Sequence, residues 1–151
     1  MRLVFFVMLC LFHSTAWGAG AVEIESDQMS VDHLHNQAEF KGGVHLVRDD
    51  FDLRCDRLVA YYSENELQRA EAFGRVRMQQ AGKRGAADKA IFDQASNILT
   101  LLGDASVEDK DGVIRGDIIT HNVYTEQTQV IQGKGNRVHL NLESDAKVGQ
   151  P

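Results

Sequence analysis

The side chains that could do chemistry in this chain are a few histidines, one cysteine and a set of recurring aspartates. His33 and His35 lie two residues apart beside Asp32, so on a strand they would share one face and could begin a metal site. A zinc site needs three or four ligands in fixed geometry, and the spacing indicates no third ligand. The sequence also lacks a Gly-x-Ser-x-Gly elbow, a Cys-x-x-Cys pair and a glycine-rich phosphate loop. We therefore expect no metal, no cofactor and no enzymatic activity.

Cys55 is the only cysteine beyond the first 21 residues, so a disulfide within the mature chain is not expected. It stands at a position that other parts of the chain fill with serine, alanine or glycine. A free cysteine commonly behaves as a small buried apolar residue. We interpret Cys55 as a packing residue and not as a reactive thiol.

Two patterns recur about every thirty residues along the chain. A small residue followed by aspartate recurs at spacings of 29, 32 and 29, and a glycine recurs at spacings of 32, 29 and 30. The dipeptides are Ser26-Asp27, Cys55-Asp56, Ala87-Asp88 and Gly116-Asp117, and the glycines are Gly42, Gly74, Gly103 and Gly133. Such a period is typical of stacked units that bury their apolar faces against each other. The aspartates recur once per unit, which favours a structural role at the start of each strand, where they would accept backbone hydrogen bonds, over catalysis.

Apolar residues stand two and four positions after most of these aspartates, and two positions before and after most of the glycines. Alternation of this kind predicts β-strands with one apolar face. Turn-forming residues predict hairpin turns at 63–66, 93–97 and 109–112, and a looser, flexible loop at 81–85. His121 and Arg137 break the apolar pattern, and a β-bulge near residues 133–135 would restore it at Val138 and Leu140. The chain is therefore predicted to be all-β, with about four strand-turn-strand repeats.

The N-terminal segment has the features of a secretory signal peptide. Arg2 is followed by an apolar run from Leu3 to Phe12, and small residues follow between Ala16 and Ala21. The run is too short for a hydrocarbon core of ~30 Å. We expect residues 1–21 to be cleaved, residues 22–142 to form one domain and residues 143–151 to be a polar tail. The formal net charge of −6 disfavours nucleic-acid binding.

Five segments resemble the repeats of the organic-solvent-tolerance (OstA-like) family: residues 24–28, 40–44, 55–58, 102–105 and 116–119. The resemblance covers nearly the whole predicted domain. It implies a twisted, open β-jelly-roll of antiparallel strands, without enzymatic activity, whose apolar interior receives the acyl chains of lipopolysaccharide. It further implies a periplasmic protein that carries lipopolysaccharide from the inner to the outer membrane within a protein bridge. The implied partners are inner- and outer-membrane transport components of the same fold family.

The resemblance and the strand parity together predict the binding residues. Lipid contacts are expected at residues of one parity in all four units, namely Phe40, Leu46, Leu58, Val76, Met78, Phe92, Leu101 and Ile119. An open sheet also leaves a terminal strand at each end, which favours head-to-tail assembly of copies. The predicted oligomer edges are Val22 and Ile24 at one end and Val138, Leu140 and Leu142 at the other.

Two alternatives remain open on the sequence alone. The chain could be a β-sandwich interaction module without a lipid ligand, its apolar face closed as ordinary core. It could also be the membrane-anchored inner-membrane partner of the same family, or part of the outer-membrane translocon. The short apolar run and the end of the chain at Pro151 favour the soluble bridge.

Overall fold

One antiparallel sheet of ten strands makes up the computed structural model, which describes residues 21–132 and 137–142. Within these residues no helix could cross a membrane. The strands are β1 (Glu23–Glu25), β2 (Gln28–Asp32), β3 (Gln37–Arg48), β4 (Phe51–Ser63), β5 (Glu66–Gln80), β6 (Lys83–Asp93), β7 (Ile98–Asp109), β8 (Gly112–Asn122), β9 (Thr128–Ile131) and β10 (His139–Leu142). The predicted all-β fold is confirmed. The predicted signal peptide and polar tail lie outside the described residues.

Strands β3 to β8 follow one another as a meander, each paired with its sequence neighbours. Both ends of the sheet are split between two short strands. β1 and β2 pair with successive stretches of β3, and β9 and β10 pair with successive stretches of β8. The sheet does not close on itself within the described residues, as expected for an open jelly-roll.

The turns between the long strands are tight. Glu64 and Asn65 have φ angles of 52° and 64°, which fits the predicted turn at 63–66. The predicted flexible loop at 81–85 is wrong, because only Ala81 and Gly82 form the turn and β6 begins at Lys83. Gly85 instead lies inside β6 opposite Met78. A Cβ atom at Gly85 would lie 2.8 Å from Cγ of Met78, so glycine leaves room for that side chain.

Each long strand bends where the register shifts by one residue, and the shift recurs in all five pairs from β3–β4 to β7–β8. Gly42, Gly74 and Gly103 lie at these bulges with φ angles of 81°, 77° and 78°, which glycine adopts without strain. The expectation that the aspartates begin strands is wrong for Asp56, Asp88 and Asp117, which lie in the middle of β4, β6 and β8. Asp56 and Asp88 lie beside Gly74 and Gly103, at the bends of the sheet.

The bends fold the sheet into two facing halves. A Cβ atom built at Gly85 in one half would lie 3.6 Å from Cδ1 of Leu101 in the other half. We call the space between the halves the trough. The bulge predicted near residues 133–135 falls outside the described residues, but β10 does resume with Leu140 opposite Ile114, in the predicted phase.

Inward-facing side chains form ladders across the strands. The two ladders next to the bend, here called the apex rows, contain Phe40, Leu58, Ala72, Ala90, Leu101 and Ile119 on one half and Val44, Cys55, Val76, Ala87 and Ala105 on the other. The two ladders farther from the bend, here called the mouth rows, contain Ala38, Ala60, Ala70, Phe92, Leu99 and His121 on one half and Ile24, Leu46, Leu53, Met78, Gly85, Val107, Ile114 and Leu140 on the other.

Candidate ligand trough

The apex rows are closed core. Five of the eight predicted lipid-contact residues lie there and are buried: Phe40, Leu58, Val76, Leu101 and Ile119. Val76 has no exposed surface at all. These side chains pack against one another across the bend, in one cluster with the small residues Ala72, Ala90 and Ala105. Their burial stabilises the fold whether or not a ligand is bound.

The mouth rows are the accessible part of the trough. The other three predicted contacts, Leu46, Met78 and Phe92, lie in these rows, partly exposed. Leu46 and Met78 also pack on the core cluster. Further half-buried apolar residues of the same rows were missed by the sequence prediction: Ile24, Ala70, Leu99, Val107 and Ile114. Ala70, Leu99 and Val107 continue the alternation of predicted residues on their own strands, so the alternation itself could have found them. Ile114 lies across the bend of β8 from Ile119, where the inward parity switches.

His121 is the polar exception in the mouth rows. Its Nδ1 atom lies 2.8 Å from the hydroxyl of Thr128 on the neighbouring strand. Burial lowers the pKa of His121, and the nearby positive charge of Lys83 lowers it further. Lys83 begins β6 at the far end of the opposite half. The pKa of His121 thus responds to a charge on the opposite half of the sheet.

The outer face of the sheet carries an ionic cluster on strands β3 to β6. Val59 faces outward between Glu39 and Glu71, and only 1% of its surface is exposed. The guanidinium of Arg57 donates to the Glu39 carboxylate at 2.7 Å, and Arg57 and the Lys89 ammonium lie 4.9 and 4.8 Å from the centre of the Phe73 ring. Such pairs tie β3, β4, β5 and β6 together. Half-buried apolar residues also lie on this face, at Ile91, Leu102 and Ile118.

Glu71 belongs to the same outer cluster. Burial raises the pKa of this carboxyl, but hydrogen bonds from Arg69 at 2.8 Å and from the Tyr61 hydroxyl at 3.1 Å outweigh burial, so that the pKa of Glu71 is lowered overall. Burial, followed by the contact with Glu71, raises the pKa of Tyr61. At neutral pH Glu71 is thus ionised, while the Tyr61 hydroxyl stays protonated and donates to it.

The residues predicted as oligomer edges lie at the two ends of the sheet. Val22, Val138, Leu140 and Leu142 are exposed, and Ile24 is half-buried against the core. Within the described residues, β1 and β2 pair only with β3, and β9 and β10 pair only with β8. Three exposed apolar residues of these end strands were not predicted as edges: Met29, Val31 and Ile131.

The histidines and the cysteine are placed as follows. His35 Nδ1 lies 2.6 Å from the carboxylate of Asp32, in an exposed turn. Among the described residues no three His, Cys, Asp or Glu side chains are grouped so that they could hold a metal ion. Cys55 is buried in the apex rows, and desolvation raises the pKa of its thiol to about 11. A thiol in this state packs as an apolar group and is a poor nucleophile.

Comparisons with known proteins agree with this architecture. The family model described as "LptA/(LptD N-terminal domain) LPS transport protein" matches residues 23–129. The lipopolysaccharide export system protein LptA of Escherichia coli strain K12 is 30% identical over 125 residues, which cover 78% of this chain and 68% of that protein. LptA of Shigella flexneri matches with the same identity and coverage.

A solved structure has the same fold. It is the crystal structure of LptH, the LptA homologous periplasmic component of the conserved lipopolysaccharide transport device from Pseudomonas aeruginosa. It matches with a TM-score of 0.73 at 12% identity, over 81% of this chain and 94% of that chain. The likeness shows that the bent, open sheet is the β-jelly-roll of LptA-like proteins. Together with the family match over most of its length, it means that this chain belongs to the LptA/LptD N-terminal domain family of lipopolysaccharide transport proteins.

Proposed function

We propose that this protein binds lipopolysaccharide by its acyl chains in the trough and carries it across the periplasm, as one part of a bridge from the inner to the outer membrane. The observation that carries the proposal is the pair of mouth rows, which stay apolar and half-exposed across most of the sheet. Acyl chains would gain about 25 cal/mol for each Å² of apolar surface removed from water. A trough of this kind needs no polar contact to hold several chains.

Acyl chains in the trough would meet the mouth rows first. Leu46, Met78 and Phe92 are the predicted contacts that already present surface to the trough. Met78 is unbranched and adapts to irregular shapes, which suits a ligand with several chains. The five buried predicted residues would touch the ligand only when the two halves move apart. We therefore rank the mouth residues above the apex residues as direct contacts.

Site-specific photocrosslinking in intact cells tests the ligand and its position. A photoreactive residue at Phe92 faces the trough, and one at the adjacent Ile91 faces outward on the same strand. Met78 faces the trough and Lys89 faces outward, so these two positions provide a second comparison. We expect lipopolysaccharide adducts at Phe92 and Met78 and none at Ile91 and Lys89. Equal labelling of both faces would contradict the trough, and a protein that binds partners without any adduct would be a ligand-free interaction module.

The bridge part of the proposal rests on the two ends of the sheet. Met29 on β2 is 61% exposed and Leu140 on β10 is 57% exposed, so both ends present apolar side chains beside strand edges that have no further partner strand among residues 21–132 and 137–142. Exposed edges invite strand addition by another chain. The two ends differ in sequence, so a contact between them is heterologous and can repeat head to tail. Transport components of the same fold at either membrane could join the same ladder.

Periplasmic location follows from the proposed signal peptide and from the periplasmic relative. Mass measurement of the protein recovered from a periplasmic fraction should show an N-terminus near Ala19 to Val22. An intact N-terminus in the inner-membrane fraction would instead support the anchored partner of the family.

A further inference from the structure

The outer face of the sheet concentrates arginines on one half, although the chain has a formal net charge of −6. On this half the outward ladder from β3 to β8 consists of His45, Arg54, Arg77, Ala86, Ser106 and Arg115. Arg75 and Arg84 lie next to this ladder. Half of the arginines in the chain thus stand on one patch of four strands.

Two adjoining depressions meet at Arg54 and Arg77. One has a volume of about 310 Å³, and its lining includes Arg54, Arg77 and Arg84, the carboxylates of Asp52 and Glu108, and the Ser106 hydroxyl. The other has a volume of about 380 Å³, with His45, Arg75 and Asp56 added to the same two arginines. The small residues Gly85 and Ala86 keep the floor of the first depression low. The guanidinium groups stand along its side.

The positive charge in this place is only partly neutralised. Arg54 and Arg77 are directly opposite each other in the β4–β5 register, and like charges so placed destabilise a sheet. Nε of Arg54 is 3.5 Å from the Asp52 carboxylate, which is bound more closely by His45 at 2.7 Å. The guanidinium of Arg77 donates to the carbonyl of Val76 at 2.8 Å.

Neither Arg77 nor Arg84 has a carboxylate within ion-pair distance in residues 21–132 and 137–142. Arg84 is paired in register with Glu108, yet the two side chains form no ion pair. Arg75, in contrast, is neutralised by Asp56 at 2.8 Å. Arg77, without a carboxylate partner among the described residues, thus lies directly opposite Arg54, whose only ion pair is the long contact with Asp52.

We propose that the Arg54–Arg77 pair and the depressions around it form a binding site for a phosphate group. The planar guanidinium group matches phosphate oxygens in a bidentate geometry, and a dianion between two arginines removes their mutual repulsion. The Ser106 hydroxyl is a neutral donor on the wall of the depression. The Arg54–Arg77 pair lies on the outward-facing ladder, although Met78 and Gly85 of the mouth rows also line the first depression. The phosphate is either free or carried on the headgroup of a lipid.

Titration of the purified protein with inorganic phosphate at constant ionic strength tests the site. The side-chain Nε–Hε resonances of Arg54 and Arg77 should shift in a saturable way in nuclear magnetic resonance spectra. Arg77→Gln should weaken the binding about tenfold or more, as expected for loss of one charge-assisted bond. Arg48→Gln removes the same charge from an exposed position near the β3–β4 turn and should leave the affinity unchanged.

A stability measurement guards against an effect on folding. Phosphate should raise the melting temperature of the wild type and of Arg48→Gln, and should have no such effect on Arg77→Gln. Without phosphate, Arg77→Gln should be at least as stable as the wild type, because a like-charge pair has been removed. Equal phosphate responses in the two variants, or no saturable shift in the wild type, would overturn the site.

Binding of two forms of lipopolysaccharide distinguishes the two possible sources of the phosphate. Lipopolysaccharide and the same lipopolysaccharide after enzymatic removal of its phosphates are compared for binding to the wild type and to Arg77→Gln. A weakening by Arg77→Gln that is confined to the phosphorylated form assigns the site to the headgroup. No difference between the two forms, with inorganic phosphate still bound, assigns it to free phosphate. Failure of all lipopolysaccharide binding would contradict the trough and leave the phosphate site standing.

Discussion

The carboxylate of Asp56 occupies the space that a Cβ atom at Gly74 would need. The same relationship joins Asp27 to Gly42, and at Asp88 and Gly103 the built Cβ atom would lie 2.6 Å from Oδ2. The aspartate of one strand and the glycine of the next are therefore two sides of a single contact. Their shared period of about thirty residues reflects one bend that every strand repeats.

Gly74→Ala should destabilise the protein by about 3 kcal/mol or more, because it adds both a left-handed alanine and a clash with Asp56. Gly82 is a matched control. It has a φ of 79°, close to the 77° of Gly74, and no atom within 4 Å of its Cβ position. Gly82→Ala should therefore cost only about 1 kcal/mol. Urea unfolding of both variants measures the difference, and equal losses would show that the Asp56 contact is irrelevant.

The clash also predicts coupling between the two positions. Asp56→Ala removes the carboxylate that a side chain at position 74 would strike. The double variant with Gly74→Ala should lose less free energy of unfolding than the two single variants summed, by about 1 kcal/mol or more. Strict additivity would contradict the proposed packing.

The period-two alternation was enough to predict the inward-facing side chains on either side of a bend. The alternation carries over the bend in β3, β5 and β7, but in β4, β6 and β8 the inward parity switches, as between Leu58 and Cys55. The alternation was not enough to predict the Asp–Gly contact, since the two residues come from different strands and only the register joins them. The loop at 81–85 was predicted wrongly because Gly82 and Gly85 look alike in sequence. One allows a turn, and the other allows the Met78 side chain to lie across a strand.

The arginine patch was not predicted for a different reason. Composition reports the charge of the whole chain, and an acidic total conceals a basic surface. Arg54 and Arg77 are 23 positions apart, and only the pairing of β4 with β5 brings them together. In the same way, burial at the bend separates Val76 from Met78, although both belong to one predicted apolar stripe.

Cys55 should resist thiol reagents in the folded protein. The raised pKa, about 11, leaves little thiolate at pH 8, and the side chain is buried. Labelling with iodoacetamide, mapped to the Cys55 peptide by mass spectrometry, should be slow in buffer and fast in concentrated urea. Rapid labelling in buffer would mean that the apex opens readily.

Stability should fall at acid pH in part through Glu71. The folded-state pKa of this carboxyl is lowered from 4.5, so its stabilising contribution is complete above about pH 4.5 and is lost as the pH falls through the lowered value. Glu71→Gln should make the unfolding free energy less dependent on pH in this window. Glu66→Gln, at the exposed start of β5, serves as the control and should keep the slope of the wild type.

Head-to-tail assembly should be sensitive to the C-terminal edge. Leu140→Arg places a charge on an exposed end strand. At high concentration this variant should have a lower sedimentation coefficient than the wild type. Leu34→Arg changes a leucine that is 91% exposed in the β2–β3 turn and should leave assembly unchanged. A wild type that stays monomeric at every concentration and binds no partner of the same fold would contradict the bridge.

Because the bend recurs in every long strand, the cross-section of this protein does not depend on how many strands it has. A further hairpin could be inserted between two existing ones without a new corner, a new cap or a change in the apex packing. Each hairpin would add two strand spacings, about 10 Å, to the length. Evolution can therefore lengthen or shorten such a conduit in whole steps, while the width available to its cargo stays constant.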